Sequence, residues 1–531
     1  TDASSWAAPG DTEASEDSDQ AVAAVVACAA ASDCDDGEVC TDERCDDGAC
    51  RHDWPTATGC DDGDACTVGD QCAHGACHPG PRSTCDDGDA CTVDACVAAS
   101  GACSHDGLAG CVPCAGAQGC GGELICAASA VCLCPFAEQT LGVEAEKPGL
   151  VTDNDLLLAI VAASEGGTWA VGQQWTGTAL ASDGVIVRRD AAGALIWSRR
   201  YASYGEEGLI GAAETSDGGL WAVGSTTTGA KGQLDGWLLR VDADGDVGFS
   251  GKRGGMGREG LAAVVAVGEG AIAAGSKQSL TTGALDGWLT WISNDGTAPA
   301  PVERTFAVAD GEGSLSALAF LPASATASGD SGGLVAAAGS ATASGDLERG
   351  WLILVGADGN GDATELLVGD SGTTRLRGVV FLADGRVAAA GYRQTPGVDA
   401  SADGLLVLAS KATGTWQIEA DHVYGGDHAD RFLALGVEPG GAVVAAGYTG
   451  PQSEGGDLDG WLVRIDPQAA AVPVWTVTPG GGGDDILRAV AAVSIAGVPA
   501  IAAVGHSGSH GASVDGWTVQ LRADGTGGCG P

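Results

Sequence analysis

After residue 150 the chain runs through one short pattern seven times. It is clearest over Gly218–Gly245, GGLWAVGSTTTGAKGQLDGWLLRVDADG. An apolar strand ends in Gly, a Ser/Thr/Gly loop follows, Asp-Gly-Trp opens a second strand, and an Asp-Gly turn closes it. The anchors are Asp183-Gly184, Asp235-Gly236-Trp237, Asp286-Gly287-Trp288, Gly350-Trp351, Asp403-Gly404, Asp459-Gly460-Trp461 and Asp515-Gly516-Trp517. Their spacing is 51–56 residues, with one longer interval that holds the insert Leu321–Gly333. Units of this length that break into short strands cannot bury their apolar faces alone, whereas stacked copies can.

Each unit parses into four strands, A to D. In the second unit these are Leu209–Thr215, Leu220–Gly224, Trp237–Asp242 and Val247–Ser250. Seven A strands begin near Leu156, Leu209, Leu261, Leu315, Leu376, Phe432 and Leu487. The pattern predicts an all-β chain with a seven-bladed β-propeller over residues 137–531. The last unit stops after its C strand, while the segment Gln139–Glu146 precedes the first A strand unused. That segment is expected to supply the missing strand and close the ring, which leaves no exposed edge. Trp237 and its equivalents are expected in the core, packed on the next blade.

The repeats resemble the delta-sixty family of secreted bacterial propeller repeats. The match is carried by VAAAGYRQTPGVDASADGLLVLA (Val387–Ala409) and AAGYTGPQSEGGDLDGWLVRID (Ala445–Asp466) and extends over residues 150–525. The resemblance implies a secreted or surface protein and transfers no catalytic residue.

Residues 28–136 form a second module, built on cysteine. Cys28 is followed by three four-cysteine copies: Cys34, Cys40, Cys45 and Cys50; Cys60, Cys66, Cys72 and Cys77; Cys85, Cys91, Cys96 and Cys103. A six-cysteine segment follows, with Cys111, Cys114, Cys120, Cys126, Cys132 and Cys134. So many Cys among so few large apolar residues point to disulfides in place of a core, and to an oxidising compartment. Zinc would need matched CxxC pairs, and only Cys111–Cys114 has that spacing. With 19 cysteines in the module, Cys529 is the odd one. It is expected to staple the C-terminus back to the module, worth about 4–5 kcal/mol on the chain-entropy view. The copies, with their CDDGDACT signature at Cys60 and Cys85, resemble the slime-mould type of Cys-rich extracellular repeat.

Residues 1–27 are acidic and then Ala-rich, and read as a flexible tail or arm. The chain opens on Thr1, which fits a signal peptide already removed. No apolar stretch reaches the length of about 20 residues that a membrane span needs. Lys and Arg number 25 against 71 Asp and Glu, a net charge of −46. That field repels nucleic acid and anionic lipid.

Short-spaced carboxylates suggest calcium at Asp61, Asp62 and Asp64, at Asp86, Asp87 and Asp89, and at Asp358, Asn360 and Asp362. Asp-Gly turns explain the same residues. His422, Asp427, His428 and Asp430 could hold a metal, as could His506 and His510, which read as part of a B–C loop. Asp427–Asp430 also matches the turn chemistry of Glu206–Glu207 and Asp484–Asp485 in other copies. No HExxH or P-loop occurs. The reading is a bacterial, extracellular or cell-surface binding or adhesion protein, not an enzyme, with its propeller on a disulfide-rich stalk. Its ligand, a glycan or a protein, is expected on the face carrying the D–A and B–C loops. The alternatives are a structural subunit that joins copies of itself through the arm, and a polysaccharide-acting enzyme.

Overall fold

The computed structural model describes residues 155–526 apart from 176–181, 192, 202–204, 229–232, 294–302, 326–332, 344–346, 371, 395–401, 413, 427–428, 451–456, 496 and 510–513. Before these it describes 28, 30–34, 39–40, 42–46, 49–53, 59–61, 65, 69–73, 76–78, 92–97, 102–107, 125–126, 132–133 and 138–141. Two compact units emerge, Thr1–Leu133 (with Pro531) and Cys134–Gly530.

The larger unit is a seven-bladed β-propeller of seven four-stranded antiparallel sheets. Strand A of each blade touches strand A of the next, so the A strands surround the axis. In the seventh blade, Asp485–Ile495, Val498–Ser507 and Asp515–Arg522 supply strands A to C, and Glu138–Leu141 pairs with the third as strand D. The ring is thus closed by chain from before the first blade, as the unused segment predicted. Asp155 N–H donates to Val514 O at the same seam, 3.0 Å away.

There is no single core. Seven clusters of buried side chains each lie between two neighbouring blades, and the last joins Val493 and Val504 of the seventh blade to Leu157 and Val187 of the first. The repeated Trp is buried in these clusters: Trp288 and Trp517 expose none of their surface and Trp351 1%. The Asp-Gly before it lies inside strand C, which starts at Asp235 rather than at Trp237 in the second blade. Gly184, Gly287, Gly404 and Gly460 each lie under the Trp ring of the following blade, 2.8–2.9 Å from where a Cβ would stand. The Asp-Gly-Trp triplet therefore contributes one ring and receives the next.

On the face of the C–D turns, the turns of blades two, four, six and seven dock on the blade before them. Tyr201 Oη donates to Gly245 O at 2.8 Å, Trp291 Nε1 to Ala357 O at 2.7 Å and Trp475 Nε1 to Ala523 O at 3.1 Å. Tyr424 Oη makes the same kind of bond to Ala470 O.

In the N-terminal unit, two-stranded hairpins carry disulfides Cys28–Cys45, Cys34–Cys50, Cys40–Cys72 and Cys60–Cys77. Within a copy the first Cys bonds the fourth, and the second reaches the third of the next copy. Cys34, Cys40 and Cys72 are among the buried groups here, so the bridges do the work of a core. Cys103 is also disulfide-bonded. Cys66, Cys85, Cys91, Cys111, Cys114, Cys120, Cys134 and Cys529 lie outside the described residues, as do the side chains of Cys96, Cys126 and Cys132.

Candidate functional site

The face opposite the C–D turns carries the D–A and B–C loops, and backbone bonds lace them together. Glu259 N–H donates to Leu234 O, and Gln278 N–H to Arg258 O, both at 2.9 Å. One D–A loop thus ties together the B–C regions of two adjacent blades. The acid that opens the next strand A anchors the loop from below. Glu259 accepts from Gly255 N–H at 3.0 Å, Asp430 from Gly426 N–H at 2.9 Å and Asp485 from Gly481 N–H at 2.8 Å. All three acids are buried. Beside them lie the Asp residues that open strand C. Burial holds Asp183, Asp403 and Asp459 above the ordinary carboxylate range, and the neighbouring Glu207, Asp430 and Asp485 add to it.

At the axis, one glycine per blade organises the geometry. Strand A carries a bulge in every blade, with Leu158, Ile210, Ala262, Ser316, Arg377, Leu433 and Arg488 as the extra residues. Opposite each bulge strand B has a Gly, such as Gly224, Gly391, Gly447 or Gly505, on which the strand A carbonyl rests where a Cβ would be. The sequence reading ended strand B at this Gly. The structure runs it on: Leu220–Thr226 passes Gly224, Val387–Gln394 passes Gly391, Val443–Thr449 passes Gly447 and Val498–Ser507 passes Gly505.

The residue after that Gly therefore belongs to a rigid strand end at the channel mouth. In blades one to four it is Gln173, Ser225, Ser276 and Ser340, all partly exposed. In blades five to seven it is Tyr392, Tyr448 and His506. The same three blades bring arginine. Arg431, paired in register with Tyr448, lies 4.6 Å from the Tyr392 ring centre and 5.8 Å from that of Tyr448. Arg377 Nη1 reaches Ser316 Oγ of the fourth blade at 3.4 Å. Arg377 also acts electrostatically on Arg488, two blades away, and both act on Tyr448. Burial pushes Arg488 down to about 10 and His506 down to about 3, the latter helped by Arg488. His506 is consequently neutral at ordinary pH. Burial raises Tyr448, against the opposing pull of Arg431.

The other predicted sites disperse. Asp358 Oδ1 accepts from Asn360 N–H at 3.0 Å, and Arg304 donates to the carbonyls of Gly359 and Gly361 in the same turn. Backbone hydrogen bonding from Asn360 holds Asp358 below the usual carboxylate range. Asp362 is exposed, as is Asp61. Asp62, Asp64, Asp86, Asp87 and Asp89 lie outside the described residues, with Asp427, His428 and His510. His422 lies on strand D of the fifth blade and lines a surface cavity with Arg386 and Val472, while Asp430 is tied to Gly426. His506 is in strand B, not in a loop. Among the described residues, the groups close enough to share a metal are Cys28, Cys34 and Cys50, and Cys40, Cys60 and Cys77, and every one of these sulfurs is in a disulfide.

No protein-family model matches the chain, the two repeat families that its motifs resemble included, and no curated protein matches it significantly. Solved structures resemble it at low identity. Sqt1 from Chaetomium thermophilum is 14% identical over 70% of this chain and 98% of its own, with a TM-score of 0.41. The β-propeller domain of the Trilobed protease from Pyrococcus furiosus is 10% identical over 70% and 97%, at 0.36. The Hadza microbial sialidase Hz136 is 9% identical over 70% and 66%, at 0.35.

Proposed function

We propose that the chain is an extracellular binding protein that receives its ligand at the loop-rich mouth of the propeller axis and performs no chemistry on it. The observation that carries this is the asymmetry of the mouth. Four blades present short polar side chains there, while three consecutive blades present Tyr392, Tyr448 and His506 beside Arg377, Arg431 and Arg488. A ring under structural demand alone has no use for such a sector, and rigid strand ends are where recognition groups keep their geometry. The disulfides fit an oxidising, extracellular setting. No helix among the described residues is long and apolar enough to cross a membrane. In this reading the cysteine module is the stalk that displays the propeller on a bacterial surface.

The test is an array of immobilised glycans and proteins probed with the unreduced full chain, run beside a hydrolysis screen on the same ligands. The expected result is retention without turnover. Turnover of a retained polysaccharide would make the protein an enzyme and overturn the proposal.

A further inference from the structure

We infer that the cationic sector of the channel mouth, Arg377, Arg431 and Arg488 with Tyr392, Tyr448 and His506, is a binding site for the oxyanions of an acidic saccharide. This rests on the binding reading above and names its ligand class.

Charge is the first argument. Bases are scarce in this chain, 25 against 71 acids. Many pair with a carboxylate, as Arg199 does with Asp246, Arg240 with Asp217 and Arg464 with Glu438, while Arg188 and Arg304 are satisfied by backbone carbonyls. Even Arg375, two residues from Arg377, is held by Glu348 at 2.7 Å. Arg377 and Arg431 have no carboxylate partner among the described residues. Arg377 has only the long contact to Ser316, and Arg431 only the two tyrosine rings. Their Nε atoms are buried without an acceptor, and so is His506 Nδ1. In so acidic a chain, guanidinium groups crowded together and left without counter-charge indicate that the counter-charge arrives with a ligand.

The chemistry of the groups narrows that ligand. A guanidinium fork matches carboxylate and sulfate oxygens in two parallel hydrogen bonds. Asp485, which acts on His506, has its Oδ2 engaged by Gly481 N–H and by Ser509 Oγ at 2.6 Å. The rest of the rim, Gln173, Ser225, Ser276 and Ser340, offers amide and hydroxyl groups, which suit a hydroxyl-rich chain. Neutral His506 adds a further hydrogen-bonding group with Nδ1 uncommitted.

The experiment is calorimetric titration of the full chain with galacturonate oligomers, heparin-derived oligosaccharides, neutral dextran oligomers and an oligoglutamate peptide. One or both acidic saccharides should bind, the two arms separating carboxylate from sulfate, with dextran and the peptide weaker by at least tenfold. Arg377→Gln combined with Arg488→Gln should weaken binding by about 30-fold or more. The double Lys variant keeps the charge without the fork and should lie between. Arg386→Gln combined with Arg464→Gln makes the same charge change outside the sector and should leave affinity within about twofold. The double Gln variant at Arg377 and Arg488 removes like-charge repulsion, so its Tm should hold or rise, which separates lost recognition from lost fold. Unchanged affinity in that variant would overturn the site. Stronger binding of the peptide would overturn the saccharide class. Failure of both acidic saccharides while the array returns another ligand would overturn this inference and leave the binding function intact. An array without any retained ligand would remove both.

Discussion

At the scale of single residues, one glycine per blade carries the most information. The seven copies share it because the bulged strand A lays a carbonyl on its Cα, leaving no room for a side chain. The bulge in turn aims one side chain per blade into the channel. Gly447→Ala should therefore destabilise the propeller by about 1–3 kcal/mol or more, the usual cost of overpacking. Gly260, on strand A, has nothing within 4 Å of its absent Cβ. Gly260→Ala should stay within about 0.5 kcal/mol of the parent, as surface changes do. Thermal melts of the two variants side by side check this, and equal losses would show that the close approach is not what selects glycine. The glycine itself was conspicuous in the sequence, but its role was not. A bulge is a change of register and leaves no mark in composition, so strand B seemed to stop at Gly224 and its equivalents. A strand that stops at this Gly puts the residue after it, His506 included, into the B–C loop. The signal that would have found Tyr392, Tyr448 and His506 is a column: aligned on the glycine, the next residue runs Gln, Ser, Ser, Ser, Tyr, Tyr, His.

At the scale of strands and modules, each blade junction sets two acids side by side under a loop. The raised Asp459 is shifted by burial first and by Asp485 second. A carboxyl raised in the folded state favours folding while protonated, below its ordinary 3.8, and loses that contribution as pH rises through the folded value. Asp459→Asn escapes the loss. It should melt higher than the parent at pH 7, with the gap closing toward pH 4, and a lower melting point at pH 7 would contradict the repulsion. Blade number, strand order and the strand borrowed from Glu138–Leu141 were all predictable, since they follow from period and from counting strands. Disulfide connectivity was not, because spacing leaves many pairings open. The four observed bridges show a rule, first Cys to fourth within a copy and second to third of the next. Extended to the third copy, it pairs Cys85 with Cys103 and Cys66 with Cys96. Peptide mapping without reduction should return those two links, and a Cys96–Cys103 link would break the rule.

At the scale of the whole molecule, seven inter-blade cores make the ring stable only when closed, and closure leaves a channel whose lining is free to vary. Six turns of the same pattern could be repeated without consequence. It is the departure of blades five to seven from that pattern that makes one sector of the mouth a place rather than a repeat. The sequence places the ligand on the face of the D–A and B–C loops, where length and variety favour recognition. The proposed site lies further in, at strand ends beside the bulges, where Arg377 and Arg431 have no carboxylate partner among the described residues. The most direct measurement is hydrogen–deuterium exchange of the full chain with and without its array-identified ligand. Protection is predicted at 391–394, 447–449 and 505–507. Protection at the outer loop 279–284 and its equivalents, with those strand ends unchanged, would contradict a ligand site at the axis.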